Sequence, residues 1–262
     1  MKKLTKNYHT HTAFCGHATG ELREYAEAAI ENGIETLGFS CHAPYVFDNG
    51  YVSGLRMPAS KKDEYVRALL ELREEYSGRL DVKIGYETEY YPKHFADTVK
   101  FLTETPCDYL ILGQHYYGNE YDDDHIAAPE GPIHLADYVR QTSEAMRTGL
   151  FTYFAHPDTN SFLGGENEYL EAMRGICKVS LETDTPLEIN LLGIRRKREY
   201  PKECFWRLVG EMGCRVVVGC DAHSPDELRY GDDFDTAMDM VRRYGLNYTE
   251  DIRLKTVTVD KL

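Results

Sequence analysis

His9-Thr10-His11, followed by His17, sets three imidazoles close together near the start of the chain. If residues 4 to 9 form a strand, positions 9 and 11 share one face, because strand side chains alternate with a period of two. Two neutral imidazoles on one face make half a metal site. His17 follows in the turn Cys15-Gly16-His17 and would reach over the strand end instead of continuing the row. Residues of the same kind recur after later apolar runs: His42, Glu87, His115, His156, Asp221 and His223. Seven of the ten histidines fall in this set. Imidazoles mixed with a few carboxylates suit zinc, iron or manganese, whereas oxygen-only sets suit magnesium or calcium. A catalytic zinc takes about three protein ligands, so a set this large implies two or three divalent ions. Neighbouring ions need a shared carboxylate, and Glu87, central in the chain, is the candidate bridge.

These residues meet only if the intervening elements bring the ends of the apolar runs to one place. Leu22, Tyr25, Ala26, Ala29 and Ile30 recur at helical spacing and Gly33 closes the pattern, which predicts a helix. Residues 36–40 predict a strand that delivers Cys41-His42. The turn chemistry of Asp48-Asn49-Gly50 predicts a loop over 45–58, and a long amphipathic helix follows at 59–76. A strand at 81–85 ends at Tyr86-Glu87, and a helix near 94–104 leads to a strand at 109–113 ending at Gln114-His115. Helices at 134–149, 167–183, 202–213 and 233–245 then alternate with strands at 151–154, 186–190 and 215–219, and a strand-like tail covers 254–259. Seven strand-then-helix units without a linker predict one α/β domain over residues 1–262 with a parallel sheet. Polar residues at the carboxyl ends of the strands favour a single-domain, distorted (β/α)7 TIM-like barrel with its active site at those C-terminal ends. An open doubly wound sheet would carry a glycine-rich phosphate loop after its first strand, where this chain has imidazoles.

Composition narrows the function. A net charge of −14 disfavours broad nucleic-acid binding and adhesion to anionic membranes, both of which need basic surface. No apolar run approaches a membrane span, and Met1-Lys2-Lys3 is not followed by a signal-peptide core, so a cytoplasmic protein is expected. The seven cysteines are scattered and form no CxxC pair, which points to reduced, mostly buried thiols.

The whole pattern resembles the polymerase and histidinol phosphatase (PHP) metallo-phosphoesterases. His9-Thr10-His11 with His17 is similar to the first motif, Cys41-His42 to the second, and Gly85-Tyr86-Glu87 and Gln114-His115 to the middle ligands. Ala155-His156-Pro157 and Asp221-Ala222-His223 are similar to the last two. The resemblance implies one ion on His9, His11, Glu87 and Asp221, a second on His17, His42 and His223, and a third on Glu87, His115 and His156. Where the family commonly has an acidic residue before the histidine of the second motif, this chain has Cys41. The run from Leu187 to Arg195, and the loop and helix over 45–76, are similar to segments of histidinol-phosphate phosphatases. They imply a phosphoric monoester hydrolase that converts histidinol phosphate to histidinol and phosphate in histidine biosynthesis, with ions activating water for in-line attack. Another small phosphate, such as a nucleotide or sugar phosphate, fits the same chemistry. A metal-dependent amidohydrolase or a non-catalytic metal-binding subunit are further readings.

Glu87, Asp221, His223 and Arg195 are expected to take part in the chemistry. Arg195, in the dense basic run Arg195-Arg196-Lys197-Arg198, is the expected phosphate clamp, with Arg56 next and Tyr117 as a further substrate contact. Tyr90, Tyr91 and Tyr116 would wall the cleft. The acidic run from Tyr121 to His125 could hold a cationic amine but reads as a solvated loop. His94 and His134 sit at helix starts without an evident role. The expected partner is a small phosphorylated metabolite.

Overall fold

The computed structural model describes residues 3–122, 135–162 and 164–262. Eight parallel strands form one curled sheet in sequential order: β1 (Lys6–Asn7), β2 (Thr36–Phe39), β3 (Asp81–Thr88), β4 (Tyr109–Leu112), β5 (Phe151–Phe154), β6 (Leu187–Asn190), β7 (Arg215–Gly219) and β8 (Asn247–Tyr248). Helices α1 (Leu22–Glu31), α2 (Lys62–Glu75), α3 (Phe95–Leu102), α4 (Leu135–Arg147) and α5 (Glu166–Thr183) link the first six strands. A short α6 (Leu191–Arg195), α7 (Glu203–Met212) and α8 (Gly231–Tyr244) follow. The sheet curls far enough for the segment after β1 to meet the segment after β7. Thr10 bridges Ala222, with the His11 N–H donating to the Ala222 carbonyl at 2.8 Å. This is the TIM-like α/β barrel that the strand and helix periods predict.

Strand alternation, shifted by an irregularity in the pairing of β4 with β5, sorts the side chains into an inner and an outer core. Leu110, Leu112, Phe151, Phe154, Val216 and Val218 face the helices, where Tyr25, Leu69, Val99, Tyr138, Ile176 and Trp206 meet them. Tyr109, Ile111, Tyr153, Ala155, Val217 and Tyr8 fill the interior of the barrel. Large apolar side chains buried this completely contribute about 1.5–3 kcal/mol each. The inner rows continue upward into polar residues, so the same alternation that packs the barrel aims the site.

Three segments depart from expectation. β1 is only two residues long, because the chain beyond Asn7 leaves the sheet to reach Ala222. β3 runs on to Thr88, so Glu87 lies within the strand and not past its end. The tail at 254–259 forms no strand; β8 lies earlier, paired with β7, and Ile252 and Leu254 instead pack against the inner core. An apolar alternation read as a strand therefore serves to close the end of the barrel opposite the histidines.

Candidate active site

Glu87 stands at the centre of the polar cluster, 1 % exposed. Its Oε1 lies 2.9 Å from Nε2 of His156 and 3.7 Å from Nε2 of His115. Its Oε2 lies 3.0 Å from Nδ1 of His42, 3.4 Å from Nε2 of His11 and 3.7 Å from Nε2 of His9. Asp221, two residues past β7, faces His9 and His11 as well as His223, with Oδ1 3.2 Å from His11, 3.4 Å from His9 and 3.5 Å from Nδ1 of His223. His17 comes over the rim, its ring centroid 5.1 Å from that of His223 and 5.3 Å from that of His42. The structure thus gathers all nine candidate ligands at the C-terminal ends of the strands.

Around them stand carboxylates and an amide that the sequence reading did not assign to the site. Glu188, fully buried on β6, sits 2.8 Å from Nδ1 of His9 and accepts the His156 N–H. Glu89 lies 3.0 Å from Nδ1 of His115 and accepts from the backbone N–H groups of His115 and Tyr116. Asn190 donates from Nδ2 to Asp221 at 3.1 Å and to Glu188 at 2.9 Å. The contacts to His9 and His115 occupy Nδ1 of each ring and leave Nε2 facing inward, which is how the partners of metal ligands set tautomer and aim. The spacing of Glu89 two residues beyond Glu87 was the available signal for one of them.

Space and backbone strain are also concentrated here. A Cβ added at Gly113, just past β4, would collide with Oε1 of Glu87, and one added at Gly219 would collide with Glu188. His156 and Asp221 hold left-handed backbone conformations, with φ of 35° and 47°. Non-glycine residues adopt these at a cost of about 1–3 kcal/mol, and such strain clusters at functional sites.

Burial and the mutual proximity of imidazoles and carboxylates set the electrostatics of the cluster. Burial pushes the Glu87 carboxyl up, but the surrounding imidazoles, His42 first, outweigh it and hold the group well below the usual carboxylate range. Asp221 is held low in the same way, chiefly by His9. Burial lowers His11, yet its hydrogen bond to Asp221 and the nearby negative charges raise it to about 9. His42 and His223 are instead driven down by burial, His223 to about 4. Nδ1 of His11 and Nδ1 of His156 are buried without a hydrogen-bond partner. Convergent imidazoles, two low carboxylates and orphaned ring nitrogens are a donor set that fits divalent transition-metal ions. His9, His11 and Asp221 offer ligand atoms close enough for one ion, as do His9, Glu87 and His156, and His11, His42 and Glu87.

Beside the cluster lies a cavity of about 470 Å³ whose outer wall includes Ser161, Arg196, Arg198, Glu199 and Tyr200. The expected substrate residues are not in that wall. Arg195 is turned away, with Nε 2.9 Å from Asp233 and Nη2 donating to the Glu227 carbonyl at 3.1 Å. Arg56 is buried between Glu89 and Glu120 and flanked by the rings of Tyr45 and Tyr91. It serves as the counter-charge to Glu89, the carboxylate that holds His115, not as a phosphate contact. Tyr117 packs against the outer core. His94 pairs with the Tyr121 hydroxyl at 3.3 Å, away from the cluster. Asp123, Asp124, His125 and His134 lie outside the described residues. Cys41 is buried against Thr12, whose N–H donates to its Sγ at 3.1 Å.

Comparison with known proteins places this architecture. The PHP domain family model matches residues 7–191. A Deinococcus radiodurans protein named "Probable histidinol-phosphatase" is 32% identical over 230 residues, covering 85% of this chain and 87% of the relative. A Bacillus subtilis protein named "Histidinol-phosphatase" is 24% identical over 254 residues, covering 85% and 94%. Among solved structures, histidinol phosphate phosphatase from Lactococcus lactis, complexed with zinc, L-histidinol and phosphate, shares the fold. It superposes with a TM-score of 0.69 at 18% identity, covering 94% of this chain and 96% of its own.

Proposed function

The chain belongs to the PHP domain family, and on that premise we propose that it is a metal-dependent phosphomonoester hydrolase that converts L-histidinol phosphate to L-histidinol and phosphate. The observation that carries the reading is the division of Glu87, one oxygen toward His115 and His156 and the other toward His9, His11 and His42. A carboxylate so placed is suited to bridge ions. His9, His11, Glu87 and Asp221 would hold one, His17, His42 and His223 a second, and Glu87, His115 and His156 a third. Bound zinc, iron or manganese would lower the pKa of water and offset charge on the phosphoryl oxygens.

The chain's own residues supply the rest. Glu188 and Glu89 hold His9 and His115 by Nδ1, leaving Nε2 of each to face the centre. Arg198, exposed on the cavity wall, would grip the nonbridging phosphate oxygens, with Arg196 beside it. Glu199, which accepts a hydrogen bond from Ser161 at 3.2 Å, puts a carboxylate on the same wall, where the ammonium of histidinol would find a counter-charge. The names of the relatives, matched over most of both chains, support this substrate. No described helix is long and apolar enough to cross a membrane, and the acidic net charge fits a small-molecule substrate better than a nucleic acid.

Chelation followed by reconstitution with zinc, iron or manganese tests the reading. Activity toward histidinol phosphate should vanish with the metal and return with two or three ions per chain by elemental analysis. Undiminished activity in metal-free protein, or full activity with at most one ion, would refute it.

A further inference from the structure

At the N-terminal ends of the strands, opposite the histidine cluster, lies a second cavity of about 430 Å³. Gly149 before β5, Asp184 and Pro186 before β6, the first residue of β7 and the tail after β8 form its walls. Four lining side chains are cations, Arg215, Arg253, Lys255 and Lys261, and among the described residues the only lining carboxylate is Asp184. Asp184 is already engaged, with its two oxygens 2.9 and 3.0 Å from Nη1 of Arg215. The two lysines have neutral acceptors. Nζ of Lys255 donates to Thr185 Oγ1 at 2.7 Å and to the Thr183 carbonyl at 3.1 Å. Nζ of Lys261 donates to the carbonyls of Gly149 at 3.0 Å and Thr256 at 3.3 Å.

Carbonyl and hydroxyl oxygens satisfy the N–H groups of an ammonium but leave its charge uncompensated. Lys255, Lys261 and Arg253 therefore bring positive charge into one concavity where, among the described residues, no lining carboxylate is left to offset it, in a chain whose net charge is −14. Burial, and the like charges of Lys261 and Arg215 against the attraction of Asp184, bring Lys255 down to about 8. The volume falls in the range of small-molecule sites, roughly 300–1,000 Å³. Three cations beyond the Asp184–Arg215 pair match a dianionic, three-oxygen group better than a single carboxylate.

We propose that this cavity binds a small phosphate-bearing anion, held by Lys255, Lys261 and Arg253. The site is separate from the hydrolytic cluster and does not depend on the reading of that cluster. Free phosphate and the phosphate group of a metabolite share the required chemistry.

Isothermal titration of the metal-loaded chain with inorganic phosphate, and separately with a non-hydrolysable phosphonate analogue of ribose 5-phosphate, tests the proposal. Beside the equivalent taken up at the hydrolytic cluster, wild-type protein should show a second binding equivalent that Arg253→Gln and Lys261→Gln each weaken about tenfold, the equivalent of a charge-assisted hydrogen bond. Both side chains are exposed, so neither substitution endangers folding. Lys255→Met should abolish that equivalent. Turnover at low phosphate should be unchanged in all three variants. Tighter binding of the sugar phosphonate would identify a metabolite as the ligand, and equal or weaker binding would identify free phosphate. Identical stoichiometry and affinity in wild type and all three variants would overturn the site.

Discussion

Oε1 of Glu188 lies 2.8 Å from Nδ1 of His9, and both side chains are fully buried. The contact leaves Nε2 of His9 facing Asp221 and Glu87. Glu188→Gln keeps the volume but replaces an anion with a neutral amide. Metal affinity and kcat/KM should each fall by roughly 10- to 100-fold, the range found for partners of metal ligands. Competition with a chelator measures the first, and an unchanged metal affinity would show that Glu188 does not orient His9.

Gly113 leaves room for the Glu87 carboxylate, so Gly113→Ala should displace it without disturbing the outer core. The variant should keep its circular dichroism spectrum and lose at least one ion per chain by elemental analysis. Retention of every ion would mean that Glu87 can move aside and still bind.

Arg195 and Arg198 are near neighbours in sequence but have different surroundings. Arg198→Ala should lower kcat/KM for a phosphomonoester by roughly 10- to 10²-fold with metal content unchanged, since each 1.36 kcal/mol is tenfold. Arg195→Ala removes the pairing with Asp233 and Glu227 and should cost about 1 kcal/mol of stability, leaving kcat/KM within about threefold. The opposite ranking in steady-state assays would restore Arg195 as the clamp.

His11 is raised to about 9 and His9 well above the ordinary histidine value. Metal-free protein should therefore hold protons on both rings at neutral pH, and ions must displace them. Metal uptake should release protons at pH 7, and affinity should rise with pH through the region near 9 where His11 titrates. Calorimetry in buffers of different ionisation enthalpy counts those protons, and a count of zero would contradict the charge state inferred for the cluster.

Much of this was legible in the sequence because a barrel sends its strand ends to one mouth. His9 and His11 share a face by the period of two, and His42, His115, His156 and Asp221 follow apolar runs long enough to be strands. Glu188 was not legible, because it lies within the four-residue β6 and its inward direction depends on the space left by Gly219 on the neighbouring strand. The basic run misled for a local reason. Arg195 ends α6, Lys197 takes a left-handed conformation at φ 49°, and the Arg198 N–H returns to the Gly193 carbonyl at 2.9 Å. This Schellman-type turn points neighbouring arginines in different directions, and a lysine where glycine is usual hides it from sequence.

The most direct test of the account is a steady-state comparison of kcat/KM on metal-reconstituted protein, with L-histidinol phosphate set against sugar phosphates, nucleotides and glycerol phosphate. Histidinol phosphate should lead the panel by about 10²-fold or more, because a site offering a counter-charge to the ammonium penalises esters that lack one. Equal rates across the panel, or a preference for a nucleotide or sugar phosphate, would contradict it.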